Sequence, residues 1–358
     1  MFHNFIYFNT ILKVVILVKL VEVDPIAILK SKLEQAPNIK KIKIISHENN
    51  KILISVLMEK EYIIHLLLFS KIFPSKIEKI YNENIYTNSI DYQIIAAPYI
   101  SPETAETCKK HMLGYIDYSG NCFIAFANII IVYTGQKNLY PNTDKIKNIF
   151  NSSSYITSNI LRTLLKDPSA VWKLKHLSEE VGCSIGMVAR VKDYLCDQAW
   201  ASMGANGLSI TNPEKLLRAW SNSYHVPEER ILNAYTLSPI PEFEKAASDI
   251  INSNHFSGCL TAFSGGARYA PVVRYSKAHL WILKDHLADF IKLAELKPVN
   301  SGANITVFIT EEKDVLVDSR IVNGFPVASP VQVYLDLMQQ KGRGEEMAEV
   351  ILMKEICK

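Results

Sequence analysis

Polar and basic side chains occur at regular spacing in the stretch LSEEVGCSIGMVARVKDYL. Ser184, Met187 and Arg190 follow one another at intervals of three residues, which predicts that they share one side of a helix. A hydroxyl and a guanidinium on an exposed helix can donate hydrogen bonds to phosphate oxygens and to base edges. Lys173 and Lys175 lie just before this stretch and add charges that can neutralise phosphates. These five residues are therefore the candidate DNA-binding residues.

Two short helices with a sharp turn between them are predicted to position these side chains. Gly182 is the usual residue for a left-handed helix C-terminus, and Ser184 is a typical N-cap. The spacing of Val188, Val191 and Leu195 predicts that they face a core. The helix ITSNILRTLLKD comes before this pair, and WASMGANGLSITN reads as strand, turn and strand after it. This order predicts a winged helix-turn-helix domain over residues 152–224.

The small net positive charge limits the predicted affinity for DNA. The chain has 358 residues and a net charge of +3, from 39 basic and 36 acidic side chains. Between residues 155 and 201 the net charge is +1, and the predicted wing has no lysine or arginine. Nonspecific affinity for DNA rises with the number of phosphates neutralised, so weak nonspecific binding is expected. A winged helix that makes protein contacts is the alternative. The local basic residues are Arg162, Lys166, Lys173, Lys175, Arg190 and Lys192.

Composition predicts a globular, cytoplasmic protein. Hydrophobic residues make up 48% of the chain, and six cysteines are scattered without a C-x-x-C pair, as in reduced proteins. Cys108, His111 and Cys122 fit no standard zinc module, so neither a metal nor a cofactor is expected. The apolar stretch at residues 5–23 is interrupted by charges. It is interpreted as a buried helix or strand, not a membrane span or signal peptide.

Three domains are predicted along the chain. Residues 1–135 alternate strands with helices, which favours an α/β layer. The polar, turn-rich residues 136–154 are a candidate boundary, and the winged helix-turn-helix follows at 152–224. Residues 225–358 mix helices with strand-like runs and are predicted to form an α+β domain. The predicted fold class is therefore a multi-domain α/β protein.

The second half of the chain resembles a known family of regulators. Residues 324–330, 332–337 and 342–349 carry the resemblance, and FSGGARYAP lies where the family has a small-residue segment. Over about residues 155–358, these motifs resemble the AbiEi-type antitoxins of type IV toxin–antitoxin systems. The resemblance implies a non-enzymatic transcriptional regulator that binds operator DNA through a winged helix. It also implies a cognate toxin as a protein partner. A homodimer is expected because winged helices often bind palindromes in pairs.

The first 135 residues resemble the extra N-terminal domain of a subset of these regulators, on the motifs APYISPETAETC and GYIDYSGN. That domain is similar to the PD-(D/E)xK nuclease fold. An active nuclease of this class holds Mg²⁺ with acidic groups and a lysine on adjoining strands. Here the strand reads IIHLLLFSK, with Leu66, Leu67 and Leu68 at its centre. A nuclease-like scaffold without activity is therefore expected. Asp117 is predicted to cap a turn, and Gly120 and Asn121 to supply its left-handed conformation.

The sequence leaves two enzymatic alternatives open. The first is a Mg²⁺-dependent nuclease in the first domain. The second is a nucleotidyltransferase, because Ser264, Gly265 and Gly266 are similar to its phosphate-binding turn. That chemistry needs a D-x-D pair soon afterwards, whereas Asp285 and Asp289 fall in a predicted helix. A tight turn is the preferred explanation of the two glycines. His279 and His286 are expected in the core or an interface.

Overall fold

A computed structural model describes residues 24–48, 50–83, 91–140, 149–151, 155–311 and 313–357. The apolar stretch at residues 5–23, predicted as a buried element, lies outside the described residues. The chain divides into two compact units, Met1–Lys145 and Ile146–Lys358. Among the helices in the described ranges, none has the length and apolar character needed to cross a bilayer.

The described residues of the first unit form a seven-stranded sheet. The strands are β1 (Lys41–Glu48), β2 (Lys51–Leu57), β3 (Glu61–Leu68), β4 (Asp91–Ala97), β5 (Gly114–Asp117), β6 (Cys122–Phe126) and β7 (Ile129–Tyr133). They lie in sequential order, and neighbours are antiparallel, except that β3 runs parallel to β4 and β4 runs parallel to β5. Apolar runs in the sequence predicted these strands, except for β5.

Three helices pack on this sheet: α1 (Pro25–Leu33), α2 (Pro74–Glu83) and α3 (Pro102–Lys110). Leu29 and Leu33 of α1 join a core on one face of the sheet, and Ile77 and Cys108 belong to a second core. The Ser101 side chain caps the start of α3, because it accepts a hydrogen bond from the Thr104 N–H at 3.2 Å. The first unit is therefore a mixed sheet with a core on each face.

The second unit begins with helices and a small sheet. These elements are α4 (Tyr155–Lys166), β8 (Val171–Trp172), α5 (Leu174–Val181), α6 (Ile185–Asp197), β9 (Ala201–Gly204), β10 (Gly207–Ile210) and α7 (Pro213–Ser223). Antiparallel pairings join the three strands in the order β8, β10, β9. The predicted strand–turn–strand segment is confirmed as β9 and β10.

The rest of the second unit surrounds another seven-stranded sheet. The strands are β11 (Ile231–Tyr235), β12 (Gly258–Leu260), β13 (Ala278–Leu283), β14 (Lys297–Pro298), β15 (Ile305–Thr310), β16 (Arg320–Val322) and β17 (Phe325–Val327). Their order in the sheet is β14, β11, β15, β13, β12, β17, β16. The pairings are mixed, with β13 parallel to β15 and β12 parallel to β17. The helices are α8 (Ile240–Ser253), α9 (Ala262–Tyr269), α10 (Lys284–Leu293), α11 (Pro330–Met338) and α12 (Arg343–Ile351).

One hydrophobic core runs through the second unit. Leu161 of α4 and Val188 of α6 belong to the same buried cluster as Tyr334 of α11 and Met347 of α12. Side chains from both sides of the expected boundary at residue 224 therefore pack together. The separation of residues 152–224 from 225–358 as domains stays a prediction.

The two glycines of FSGGARYAP do not form a turn. Gly265 and Gly266 lie inside α9, so the tight-turn prediction is wrong. A Cβ added at Gly265 would lie 2.9 Å from the Leu260 carbonyl oxygen, and one at Gly266 would lie 2.3 Å from the sulfur of Met347. The absence of side chains thus lets neighbouring elements approach α9 closely. Ser264 is also buried, and its Oγ accepts the His279 N–H at 2.9 Å.

The SPVQVYLDL segment is buried on every face. Residues 330–337 of α11 are all buried. Gln332 and Asp336, one helical turn apart, are among these buried residues. A helix that is buried on every face needs hydrogen-bond partners for its polar side chains.

Candidate nucleic-acid interface

The turn between α5 and α6 has the predicted geometry. Gly182 ends α5 in the left-handed conformation, with a φ of 71°, and the Cys183 N–H donates to the Ser178 carbonyl at 2.9 Å. The Ser184 side chain then caps α6 by accepting the Met187 N–H at 3.3 Å. Since Ser184 is exposed, its hydroxyl proton remains available to an external acceptor.

Helix α6 buries one side and exposes the other. Val188, Val191 and Leu195 are buried in the core of the second unit, as predicted. Gly186 and Arg190, one turn apart, are both exposed. A Cβ built at Gly186 would have no closer neighbour than the Ser184 Oγ at 4.0 Å, so this part of the helix surface is open. The exposed side of α6 therefore combines a small residue with an arginine.

The structure places four of the five candidate DNA-binding residues on the surface. Lys173, Lys175, Ser184 and Arg190 are exposed, the two lysines at the start of α5 and the other two on α6. Met187 is only half-buried and packs against the core, so it flanks the exposed side of α6 rather than lying at its centre. The spacing of three residues suggested a common face, but burial decides which side chains reach solvent.

Burial and ion pairing reduce the number of basic side chains near α5 and α6 that could contact DNA. Arg162 is buried, Lys166 lies 3.0 Å from Asp318, and Lys192 lies 2.6 Å from Asp193. The hydrogen bond to Asp193 raises the pKa of Lys192. Lys175 lies at a looser 3.8 Å from Glu179, with 74% of its side chain exposed. Lys173, Lys175 and Arg190 are therefore the cations best placed to meet phosphates.

A buried polar network joins α4 to the C-terminal helices. Asp336 of α11 is 1% exposed, and its carboxylate accepts hydrogen bonds from four side chains. Burial raises the pKa of this carboxyl, and the hydrogen bonds oppose that shift. The donors are Thr261 Oγ1 at 2.5 Å, Trp281 Nε1 at 2.7 Å, Tyr224 OH at 2.8 Å and Gln332 Nε2 at 2.8 Å.

Gln332 connects this carboxylate to a buried arginine. Its Oε1 accepts a hydrogen bond from Arg162 Nη2, while its Nε2 donates to both Asp336 and the Tyr224 hydroxyl. Arg162 also lies over the ring of Trp220, 5.1 Å from its centroid. The Gln332 amide thus links Arg162 of α4 to Asp336 of α11 through hydrogen bonds. Sequence analysis missed this network. Its one signal was a glutamine and an aspartate one turn apart in an otherwise apolar helix.

The network lies largely within a segment that is similar to known regulators. Residues 209–357 match the AbiEi antitoxin family model. This family is described as a transcriptional regulator, the AbiEi antitoxin of a type IV toxin–antitoxin system. The resemblance based on residues 263–271 and 324–349 is confirmed for this segment. The comparisons find no match among curated proteins or solved structures.

The AbiEi match begins in β10 and ends beyond α12. It includes Gln332 and Asp336, while Arg162 and all of α5 and α6 lie before it. The resemblance was expected from about residue 155, whereas the match begins at residue 209. The similarity therefore does not extend to the helices α5 and α6. The nuclease-like similarity of the first 135 residues stays a prediction.

Two histidines of the AbiEi segment are structural. His286 Nδ1 accepts the Ser257 N–H at 2.7 Å, and its ring stacks on Phe256. His279 is 2% exposed and lies beside the rings of Phe263 and Phe308. Burial lowers the pKa of His279 to about 3. This histidine is therefore neutral at physiological pH.

Lowering the pH from 7 to 5 is expected to destabilise the protein through His279. The unfolded chain takes up a proton near pH 6.5 and the folded chain only near pH 3. Stability is therefore lost as the pH falls below 6.5. At pH 5 this loss is about 2 kcal/mol, since each pH unit in the window corresponds to ~1.4 kcal/mol. Denaturant unfolding at both pH values measures it. His279→Phe should remove most of the difference, whereas exposed His176→Gln should leave it. Equal pH dependence in all three proteins would contradict the prediction.

The polar residues of the first unit hold a turn. Asp117 is buried and accepts from the Asn121 N–H and Nδ2, both at 2.8 Å, and from the Ile100 N–H at 3.3 Å. Gly120 has a φ of 103°, as predicted, but Asn121 does not have a positive φ. Burial raises the pKa of Asp117, and the hydrogen bonds from Asn121 oppose that shift. The Asp117 carboxylate therefore stabilises this turn by accepting hydrogen bonds within it.

The end of β3 is apolar, from Leu66 to Leu68. Leu66 of β3 is fully buried, and Leu67 and Leu68 are partly buried. Cys108 and Cys122 lie in separate cores, and burial raises the pKa of both thiols. Within the described ranges, no group of three His, Cys, Asp or Glu side chains could hold a metal ion.

Proposed function

We propose that this chain is a non-enzymatic, DNA-binding transcriptional regulator of the antitoxin type. The observation that carries the proposal is the α5–turn–α6 arrangement, with a left-handed Gly182, a Ser184 cap and an exposed Arg190. It lies in the same compact unit as the segment that matches a family described as transcriptional regulators. With the sheet of β8, β9 and β10, this arrangement has the form of a winged helix.

In this proposal the N-terminal half of α6 enters the major groove of operator DNA. Gly186 lets the helix approach closely, and Arg190 donates to guanine or to phosphate. The Ser184 hydroxyl donates to a phosphate or a base edge. Lys173 and Lys175 contact the backbone, and Met187 packs at the margin. A protein that binds DNA in this way needs few cations for phosphate contacts, because hydrogen bonds to base edges supply its specificity.

The proposed partners are double-stranded operator DNA and a cognate toxin, with the regulator acting as a homodimer in the cytoplasm. The toxin follows from the description of the matched family. The first unit is proposed to be a nuclease-like scaffold without nuclease activity. Two observations support this proposal. The end of β3, from Leu66 to Leu68, is apolar, and hydrogen bonds from Asn121 hold the Asp117 carboxylate in a turn.

A protein-interaction role for the wing is the second candidate. The segment from β9 to β10 has no lysine or arginine, and Met203 on β9 is 50% exposed. An exposed methionine on an uncharged hairpin suits a contact with protein better than a contact with phosphate. The two candidates differ in whether purified protein binds DNA at all.

Binding to DNA from upstream of the chain's own gene is expected to be selective and moderately salt-dependent. Each phosphate contact contributes about −0.9 to the slope of log affinity against log salt, so three contacting cations predict roughly −3 per chain. Fluorescence anisotropy across a salt series measures this slope, with scrambled DNA as the control. Absence of binding at low salt would favour the protein-interaction role. Loss of intact DNA only after Mg²⁺ addition would favour the nuclease.

A further inference from the structure

The two edges of the seven-stranded sheet in the first unit differ in chemistry. Among the described strands, β1 and β7 each pair on one side only. The edge strand β1 exposes Lys41, Lys43 and Glu48, and its register shifts between Ile44 and Ser46. Charges and bulges are features that prevent an edge strand from pairing with another chain. The β1 edge is therefore protected.

The β7 edge has none of these features. Its sequence, IIIVY, contains neither a charged residue nor a proline. Ile129 and Ile131 are buried, whereas Ile130 is 76% exposed and Val132 is 49% exposed. An uncharged edge strand with apolar outward side chains is prone to pair with another strand.

A groove of about 430 Å³ runs beside this edge. Residues 128–133 form one wall and residues 35–38 form the other. A hydrogen bond of 2.8 Å from the Tyr133 hydroxyl to Gln35 ties the two walls together. The segment between α1 and β1 therefore lies beside β7.

We propose that β7 pairs antiparallel with β7 of a second copy of this chain. Pairing of two β1 edges would bring Lys41 and Lys43 against their own copies. Pairing of β1 with β7 would leave an open edge at each end and would not close. The two β7 strands carry no charge of their own, and the nearby Lys32 of α1 lies over the Tyr133 ring at the end of the strand, 3.7 Å from its centroid. Their contact obeys two-fold symmetry and covers both β7 edges. The inference rests on the sheet alone and is independent of DNA binding.

The proposal also specifies a register. Full overlap of the five-residue strand with its copy places Ile131 on the two-fold axis. Ile130 then lies directly opposite Val132 of the second copy, on the same face. A charge introduced at one position would therefore face the other position across the interface.

Sedimentation of the full-length protein at tens of micromolar tests the proposal. The wild-type chain should be a dimer, and Ile130→Lys with Val132→Lys should be monomeric, because two pairs of like charges would meet. Ile130→Lys with Val132→Glu should restore the dimer, since each lysine would face a glutamate. Far-ultraviolet circular dichroism spectra equal to that of the wild-type chain check that both variants fold.

Three results would overturn the proposal. A wild-type chain that sediments as a monomer has no such interface. A Lys–Lys variant that stays dimeric uses another surface. A Lys–Glu variant that stays monomeric excludes the register centred on Ile131.

Discussion

Replacing Asp336 with alanine is expected to lower the free energy of unfolding by about 3–5 kcal/mol, the usual effect of removing one partner from a buried charged pair. The substitution leaves four donor side chains without the carboxylate that accepts from them, and it removes the buried group to which Gln332 links Arg162. For a unit of this size, the melting temperature should fall by roughly 6–20 °C. Thermal and urea unfolding of the full chain measure both quantities.

Two variants make this test specific. Asp289→Ala removes a carboxylate from the exposed surface of α10 and should change stability by less than about 0.5 kcal/mol. Asp336→Asn keeps the shape but replaces one acceptor oxygen with a donor. It should therefore cost about 1–3 kcal/mol, the penalty for an unsatisfied buried group. If Asp336→Ala were no more damaging than Asp289→Ala, the network would have no role in stability.

Replacing Arg190 with alanine is expected to weaken operator binding roughly 10-fold or more, corresponding to about 1–3 kcal/mol for a specific contact. The melting temperature should be nearly unchanged, because the side chain is exposed. Loss of a phosphate contact would also reduce the salt slope by about 1. Loss of a base contact would instead reduce discrimination against scrambled DNA. Anisotropy with both DNAs separates these two roles.

Arg230→Ala is the matched control, because it removes the same charge from another exposed position of the second unit. It should change affinity by less than about twofold if the effect of Arg190 is local rather than one of net charge. Equal losses from both variants would contradict the assignment of α6 to the groove. A large fall in melting temperature for Arg190→Ala would instead give that residue a packing role.

Much of the candidate interface could be predicted from short-range signals. The left-handed stop at Gly182 and the cap at Ser184 depend on neighbouring backbone groups, so the sequence alone located both ends of the turn. The described strands of the first unit, except β5, were likewise predicted by their apolar residues and by the turn residues between them. These signals act over a few residues and do not require the rest of the fold.

Only the tertiary structure decided which polar side chains are used inside the protein. Arg162 counts as a cation of the helix-turn-helix in the sequence, yet it is buried and bonded to Gln332, which lies 170 residues away. Asp336 draws donors from three other elements, and α9 needs Gly265 and Gly266 because of neighbours that come from distant parts of the chain. Local sequence determines where a helix begins and ends. The packing of segments far apart in sequence determines which of its faces is buried, because burial depends on what covers the helix.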